Sequence, residues 1–233
     1  MTRQTYTIQK RIQETRNTFL WHAAPKEGEI FDFLPGQFTM ICAPHENPPQ
    51  KKAYSIASSP TNKAYLEFGI KTHGDFTQQL SLIKENDDII IEGPYGHFMY
   101  DKNSHKKAAF FAGGIGITPF MSMIRFAATD AKENHIHLFY CNQTEHDIAY
   151  KAELDDLAAA NKNFTVTYSV DTAVTPAWKG DVGLITENLI LTQYPNFEET
   201  IFFMCGPVPF MEAVKHILIN HHVPRESIKR EVF

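Results

Sequence analysis

The stretch Gly113-Gly114-Ile115-Gly116-Ile117-Thr118-Pro119 carries the residue types of an anion site. Gly114 and Gly116 match the first two glycines of the dinucleotide-binding spelling G-x-G-x-x-G, and Pro119 stands where the third belongs. Glycines let a backbone come close to a bulky ligand and adopt positive φ where a turn needs it. Pro119 suits a first helical turn, where its missing N–H costs little. Thr118 can cap that helix or offer its hydroxyl to a phosphate. Such a turn presents N–H groups and a helix dipole to an anion; the alternative is a tight turn with no ligand.

Other candidates are less telling alone. Lys52-Ala53-Tyr54-Ser55 reads as core plus surface on one strand, and Cys205, in Met204-Cys205-Gly206-Pro207, as a buried structural thiol. Eleven histidines raise the question of a metal. The close pairs are His135 with His137 and His221 with His222, and neither belongs to H-E-x-x-H or a comparable ligand set. No metal site is expected. Asp87-Asp88 and Asp155-Asp156 read as solvated faces, and no Ser-His-Asp ordering stands out.

The elements that must position these residues change character along the chain. Up to about residue 102, short apolar runs recur between Gly, Pro and Asn punctuation: QTYTIQ, TFLWHAA, GQFTMICAP, KAYSIASS, AYLEFGI and DDIIIEG. That spacing predicts a small antiparallel barrel. One helix, DFTQQLSLIK (75–84), interrupts it, with Phe76, Leu80 and Ile83 on one face. Beyond the polar stretch 102–107, apolar strands alternate with helices. The strands are AAFFAGG, HIHLFYC, FTVTYSV and TIFFMCG; the helices are TPFMSMIRFAAT, DIAYKAELDDLAAA (147–160), a stretch around TENLILTQY, and PFMEAVKHILIN. This alternation predicts a parallel α/β sheet. The expected domains are 1–104 and 105–233.

Composition narrows the function classes. A chain of 233 residues with formal net charge -5 and no dense basic run argues against nucleic acid. Three dispersed cysteines (Cys42, Cys141, Cys205) make neither a disulfide framework nor a four-cysteine iron–sulfur cluster. No segment approaches the roughly 20 apolar residues of a membrane span, and the N-terminus lacks a signal-peptide core. A cytoplasmic location is expected.

The motifs in order are LPGQF (34–38), KAYSIASS, GPYGHF (93–98), GGIGITP, WKGDVGLIT (178–186), MCGPVPFM (204–211) and the terminal REVF. The series resembles the ferredoxin–NADP reductase superfamily over nearly the whole chain. The resemblance implies a six-stranded FAD-binding barrel followed by a Rossmann-like NAD(P)-binding domain. Its flavin signature R-x-Y-S reads Lys52-Ala53-Tyr54-Ser55 here. It implies that Tyr54 lies against the isoalloxazine, that Ser55 hydrogen-bonds near N5 and that Lys52 meets the pyrophosphate. Lysine binds phosphate as a point charge without arginine's fork, so FMN is harder to exclude than usual. Gly74, Asp75, Phe76 and Thr77 match the second flavin element, with Asp75 as a plain helix cap the alternative; Lys71 faces either flavin or solvent.

For the nicotinamide, the resemblance makes GGIGITP the family's own pyrophosphate turn, with Gly113, Gly114, Gly116, Thr118 and Pro119 carrying it. It sets Cys205 near the nicotinamide C4, with Gly206 and Pro207 shaping the pocket floor. Gln143 stands where many relatives carry an arginine for the 2′-phosphate, which favours NADH over NADPH, with Lys151 the alternative phosphate partner. Phe233 would cover the flavin face, and Glu231, with Ser55, would handle the N5 proton. The implied activity is hydride transfer from NAD(P)H to FAD and onward electron transfer to a separate acceptor: ferredoxin, flavodoxin or an oxygenase component. The alternatives are a reductase of free flavin and a flavin- or nucleotide-binding regulatory subunit with little turnover.

Overall fold

The structure, a computed structural model, describes residues 2–42 and 50–232. The chain forms two compact units, Met1–Tyr100 with Thr118–Phe126, and Asp101–Ile117 with Ala127–Phe233.

The first unit contains β1 (Thr2–Thr15), β2 (Thr18–Pro25), β3 (Phe38–Cys42), β4 (Lys51–Ser55), β5 (Leu66–Lys71), α1 (Asp75–Ser81) and β6 (Asp88–Tyr95). The strands form one antiparallel sheet in the order β4-β3-β6-β1-β2-β5. A hydrogen bond from the Ala57 N–H to the Glu67 carbonyl (2.8 Å) ties the segment after β4 to β5, joining the two edges of the sheet. Alternate apolar residues fill the interior, among them Tyr6, Ile8, Phe19, Trp21, Ile41, Phe68 and Ile91. Phe76, Leu80 and Ile83 join that core from the helical segment. The helix itself ends at Ser81 rather than reaching Lys84. The Leu82 and Ile83 N–H groups bond three residues back, to Gln79 and Leu80, which tightens the last turn and stops α-helical propagation.

The second unit is built on a six-stranded sheet, with β7 (Lys107–Gly113), β8 (His135–Asn142), β9 (Phe164–Val170), β10 (Asp181–Val182), β11 (Ile201–Cys205) and β12 (Ile228–Glu231). All pair in parallel, in the order β10-β9-β8-β7-β11-β12. The helices are α2 (Thr118–Asp130), α3 (Lys151–Ala160), α4 (Glu187–Gln193) and α5 (Val208–Asn220), and the start of α2, Thr118–Phe126, groups with the barrel unit. The sequence places the start of α3 at Asp147; the structure starts it at Lys151. The Asp147 carboxylate accepts from the N–H and hydroxyl of Thr144, and Tyr150 is left-handed with φ 61, so the helix cannot begin earlier. The short edge strands β10 and β12 had no clear apolar signature.

His137 lies in β8, buried, stacked on Phe139 at 4.4 Å and bonded to Thr165 and Thr167 at 2.9 Å. Burial pushes its pKa down to about 4. A base whose folded pKa is depressed stays neutral while the unfolded chain takes up a proton. Stability is therefore lost as pH falls from about 6.5 towards about 4 and the loss then levels off. This residue should account for about 2 kcal/mol of destabilisation near pH 5. Urea melts of wild type and His137→Gln at pH 7.5 and 5 check it: the variant should lose distinctly less on acidification. Equal losses would remove His137 as the source.

Candidate functional site

In the barrel unit, three side chains predicted for flavin converge. Tyr54, half-buried at the end of β4, stacks on Phe76 of α1 at 6.4 Å and 19°. The Lys52 ammonium lies over the same Phe76 ring, 4.9 Å from its centroid. Next to Tyr54, Ser55 is 4% exposed and its hydroxyl has no hydrogen-bond partner in the protein. A buried hydroxyl in that state is costly unless a ligand or water completes it. Burial also pushes the Tyr54 phenol up, which keeps it neutral. Gly74, with φ 82, is the N-cap of α1, so Asp75 does not cap the helix as the sequence alternative allowed; no side chain does. Thr77 organises this entry, its hydroxyl accepting from the His73 N–H at 2.7 Å and donating to the Gly74 carbonyl at 3.1 Å. Ala53 is exposed and Lys71 half-exposed at the end of β5. An aromatic face, a cation and an unsatisfied hydroxyl on adjoining elements fit a flat heteroaromatic ring with a phosphate attached.

In the second unit the glycine turn leaves β7 through a single 3-10 turn, Gly114–Ile117, before α2 starts at Thr118. Ile117 is thus the N-cap, Thr118 is the first helical residue and buried, and Pro119 stands in the first turn as expected. The turn is pressed against the end of β11. A Cβ on Gly116 would lie 2.4 Å from the Cys205 carbonyl oxygen, and one on Gly206 would lie 2.9 Å from the Gly113 backbone. Pro207 would similarly meet a Cβ on Gly113 at 2.9 Å. Glycine here is a requirement of close backbone approach. Gly113, Gly116, Cys205, Gly206 and Pro207, all named from the sequence, therefore form one patch at the carboxyl ends of β7 and β11. The strand order changes direction between those two strands, the place where open α/β sheets hold ligands.

Cys205 is fully buried and in register with Glu231 of β12. Burial first, and the Glu231 charge second, push the thiol well above its ordinary value, so it is a neutral packing group and no nucleophile. Burial also raises the Glu231 carboxyl, which brings it closer to holding a proton. Phe233 lies outside the described residues. Gln143 is exposed just past β8, its carbonyl accepting from the Thr172 N–H at 3.0 Å. Lys151 is engaged with Asp155 at 2.6 Å and lies over the Tyr168 ring at 4.6 Å. The sequence did not single out two buried polar residues: Asn142, at the end of β8, and Glu67, within β5.

Among the described residues no helix is long and apolar enough to cross a membrane, and no group of three His, Cys, Asp or Glu side chains is arranged to hold a metal ion. Residues 5–100 match the oxidoreductase FAD-binding domain model, and residues 110–216 the oxidoreductase NAD-binding domain model. The glycine betaine monooxygenase reductase subunit of Pseudomonas aeruginosa is 31% identical over 96% of this chain and 62% of its own length. The NADH-cytochrome b5 reductase 1 of Candida glabrata is 33% identical over 69% of this chain and 58% of its own. The chain thus spans less than two thirds of the length of these two relatives. In fold it resembles the cytochrome b5 reductase domain of Ulva prolifera nitrate reductase (TM-score 0.88, 22% identity, covering 99% of this chain and 97% of that one). It likewise resembles the ferredoxin-NADP+ reductase of Plasmodium falciparum (TM-score 0.82, 21% identity, 99% and 96%).

Proposed function

Because the chain belongs to the ferredoxin–NADP reductase superfamily, an oxidoreductase FAD-binding domain joined to an oxidoreductase NAD-binding domain, we propose that it is an NAD(P)H-dependent flavoprotein reductase serving an electron acceptor outside this chain. We assign flavin binding to residues 1–104 and nicotinamide nucleotide binding to 105–233. FAD, when bound, supplies the chemistry, accepting hydride from the nicotinamide and releasing the electrons to the acceptor. The chain's residues bind and orient. Tyr54 offers the ring an aromatic face, the unpartnered Ser55 hydroxyl a hydrogen bond at N5, and Lys52 a charge for the pyrophosphate. Lys71, Gly74, Asp75, Phe76 and Thr77 border that site. Gly113, Gly114, Gly116, Thr118 and Pro119 receive the dinucleotide pyrophosphate, and Cys205, Gly206 and Pro207 the nicotinamide. Glu231, its carboxyl raised by burial, would hold a proton. The observation that carries this reading is the buried Ser55 hydroxyl left without a protein partner beside Tyr54, in a barrel followed by a glycine turn on a parallel sheet.

A relative named as the reductase subunit of a monooxygenase supports an oxygenase component as the acceptor, with ferredoxin or flavodoxin the other candidates. The test is an absorbance spectrum of desalted protein before and after anaerobic NADH. A flavin band that stays with the protein and bleaches is expected. Colourless protein that oxidises NADH only with added flavin would make it a free-flavin reductase. No oxidation with any artificial acceptor would leave a binding or regulatory subunit.

NADH should be preferred. An exposed amide at Gln143 is a poor partner for a dianion, and Lys151 is already paired with Asp155. We expect kcat/KM for NADH to exceed that for NADPH by about tenfold, equivalent to about 1.4 kcal/mol. Steady-state kinetics with ferricyanide check it, and a tenfold preference for NADPH would reverse the assignment.

A further inference from the structure

The segment between β9 and β10, residues 171–180, contains neither helix nor strand. Its base is tied to the exit of β8: the Asp171 N–H donates to the Asn142 carbonyl at 2.9 Å, and the Thr172 N–H to the Gln143 carbonyl at 3.0 Å. Beyond that base the loop has little apolar anchorage, with Val174 52% exposed. Its inner bonds are local. The Trp178 N–H donates to the Thr175 carbonyl at 3.3 Å, and the indole N–H to the Asp181 carbonyl at 3.1 Å.

A single side chain from outside the loop grips its turn. Glu145, half-buried in the short turn after β8, accepts from the Val174 N–H at 2.9 Å with one carboxylate oxygen and from the Thr175 N–H at 2.6 Å with the other. Bonds from backbone N–H groups to a carboxylate are stronger than those between neutral partners. Desolvation works against the charge, but these donors outweigh it and hold the carboxyl down at about 2. The clamp is therefore charged at neutral pH.

Its position says what the clamp is for. β7, β8 and β9 end in step, since Gly113 pairs with Cys141 and Cys141 with Ser169. The clamped loop thus leaves the sheet at the same end as the glycine turn, where open α/β sheets hold ligands. A loose loop must be ordered when a ligand arrives, which weakens binding; a loop already tied is preorganised.

Building on the nicotinamide-nucleotide reading above, we propose that Glu145 is a positioning residue that holds loop 171–180 as a preformed wall of the nucleotide site. It sets nucleotide affinity and leaves the hydride step alone.

Anaerobic stopped-flow bleaching of the flavin-loaded protein over a range of NADH concentrations separates affinity from the limiting rate. Glu145→Ala should bind NADH roughly tenfold more weakly, with a limiting rate within about twofold of wild type. Glu145→Gln, which keeps one acceptor oxygen without the charge, should fall between the two. Limited trypsin digestion reports the loop itself, through cleavage after the exposed Lys179. Glu145→Ala should be cut there roughly tenfold faster than wild type. NAD+ should slow that cut, because a ligand that needs the ordered loop must also order it. Cleavage at the wild-type rate overturns the clamp. Faster cleavage with unchanged NADH affinity overturns the loop's part in the nucleotide site. A wild type whose flavin NADH does not bleach sinks the reductase reading instead, and digestion with and without NAD+ still judges Glu145 by itself.

Discussion

Glu67→Gln is expected to lower the unfolding free energy by about 3–5 kcal/mol, the range for removing one partner of a buried ion pair. Glu67 is 3% exposed in β5. One carboxylate oxygen meets His22 Nε2 at 3.0 Å, and the other accepts from the Arg125 guanidinium at 2.8 Å. Arg125 also donates to the Ala57 carbonyl at 2.9 Å, and Tyr65 stacks on His22 at 4.0 Å. Burial drives the Glu67 pKa up, but His22 and Arg125 outweigh it and hold the carboxyl below its ordinary value. The charge is therefore present at neutral pH. A neutral amide keeps the shape but removes the buried negative charge that His22 and the part-buried Arg125 guanidinium face. The depressed pKa also fixes the sign with pH: this stabilisation is complete above the ordinary carboxylate range and disappears as pH falls through the folded-state value. Urea melts at pH 7 and 3.5 should show wild type and variant far apart at the first and closer at the second. A variant within about 1 kcal/mol of wild type at neutral pH would mean that the network is worth no more than a surface pair.

Gly116→Ala should cut NADH-dependent turnover by about a hundredfold, with the flavin band retained. The added Cβ would sit 2.4 Å from the Cys205 oxygen, 2.6 Å from its carbonyl carbon and 2.8 Å from the Gly206 nitrogen. All three are backbone atoms, so no side chain can swing aside and one of the two loops must move. Displacing a positioning loop by about 1 Å is enough for a loss of that size. Overpacking at this contact should also lower stability by about 1–3 kcal/mol. Anaerobic stopped-flow bleaching by NADH measures the first effect directly, and turnover within twofold of wild type would show that the two loops separate without consequence.

Much of the architecture was written in local patterns. Short apolar runs set between turn residues before residue 102 predict an antiparallel barrel, and apolar strands alternating with helices predict a parallel sheet. The glycine turn could be located because glycine and proline act on their own backbone. The start of α3 was harder, since a left-handed Tyr150 and the Asp147 bonds to Thr144 leave no mark in hydrophobic periodicity. What the tertiary structure alone decided is which distant residues meet. Gly116 meets the Cys205 backbone, and Cys205 lies beside Glu231, only because strand order sets β11 between β7 and β12. Glu67 gains His22 from across a strand pair and Arg125 from a helix in the other half of the sequence. The vacant hydrogen bonds of Ser55 and Asn142 belong to the same class. Whether a polar side chain is buried and satisfied depends on everything folded around it, and a linear pattern reports only the propensities of near neighbours.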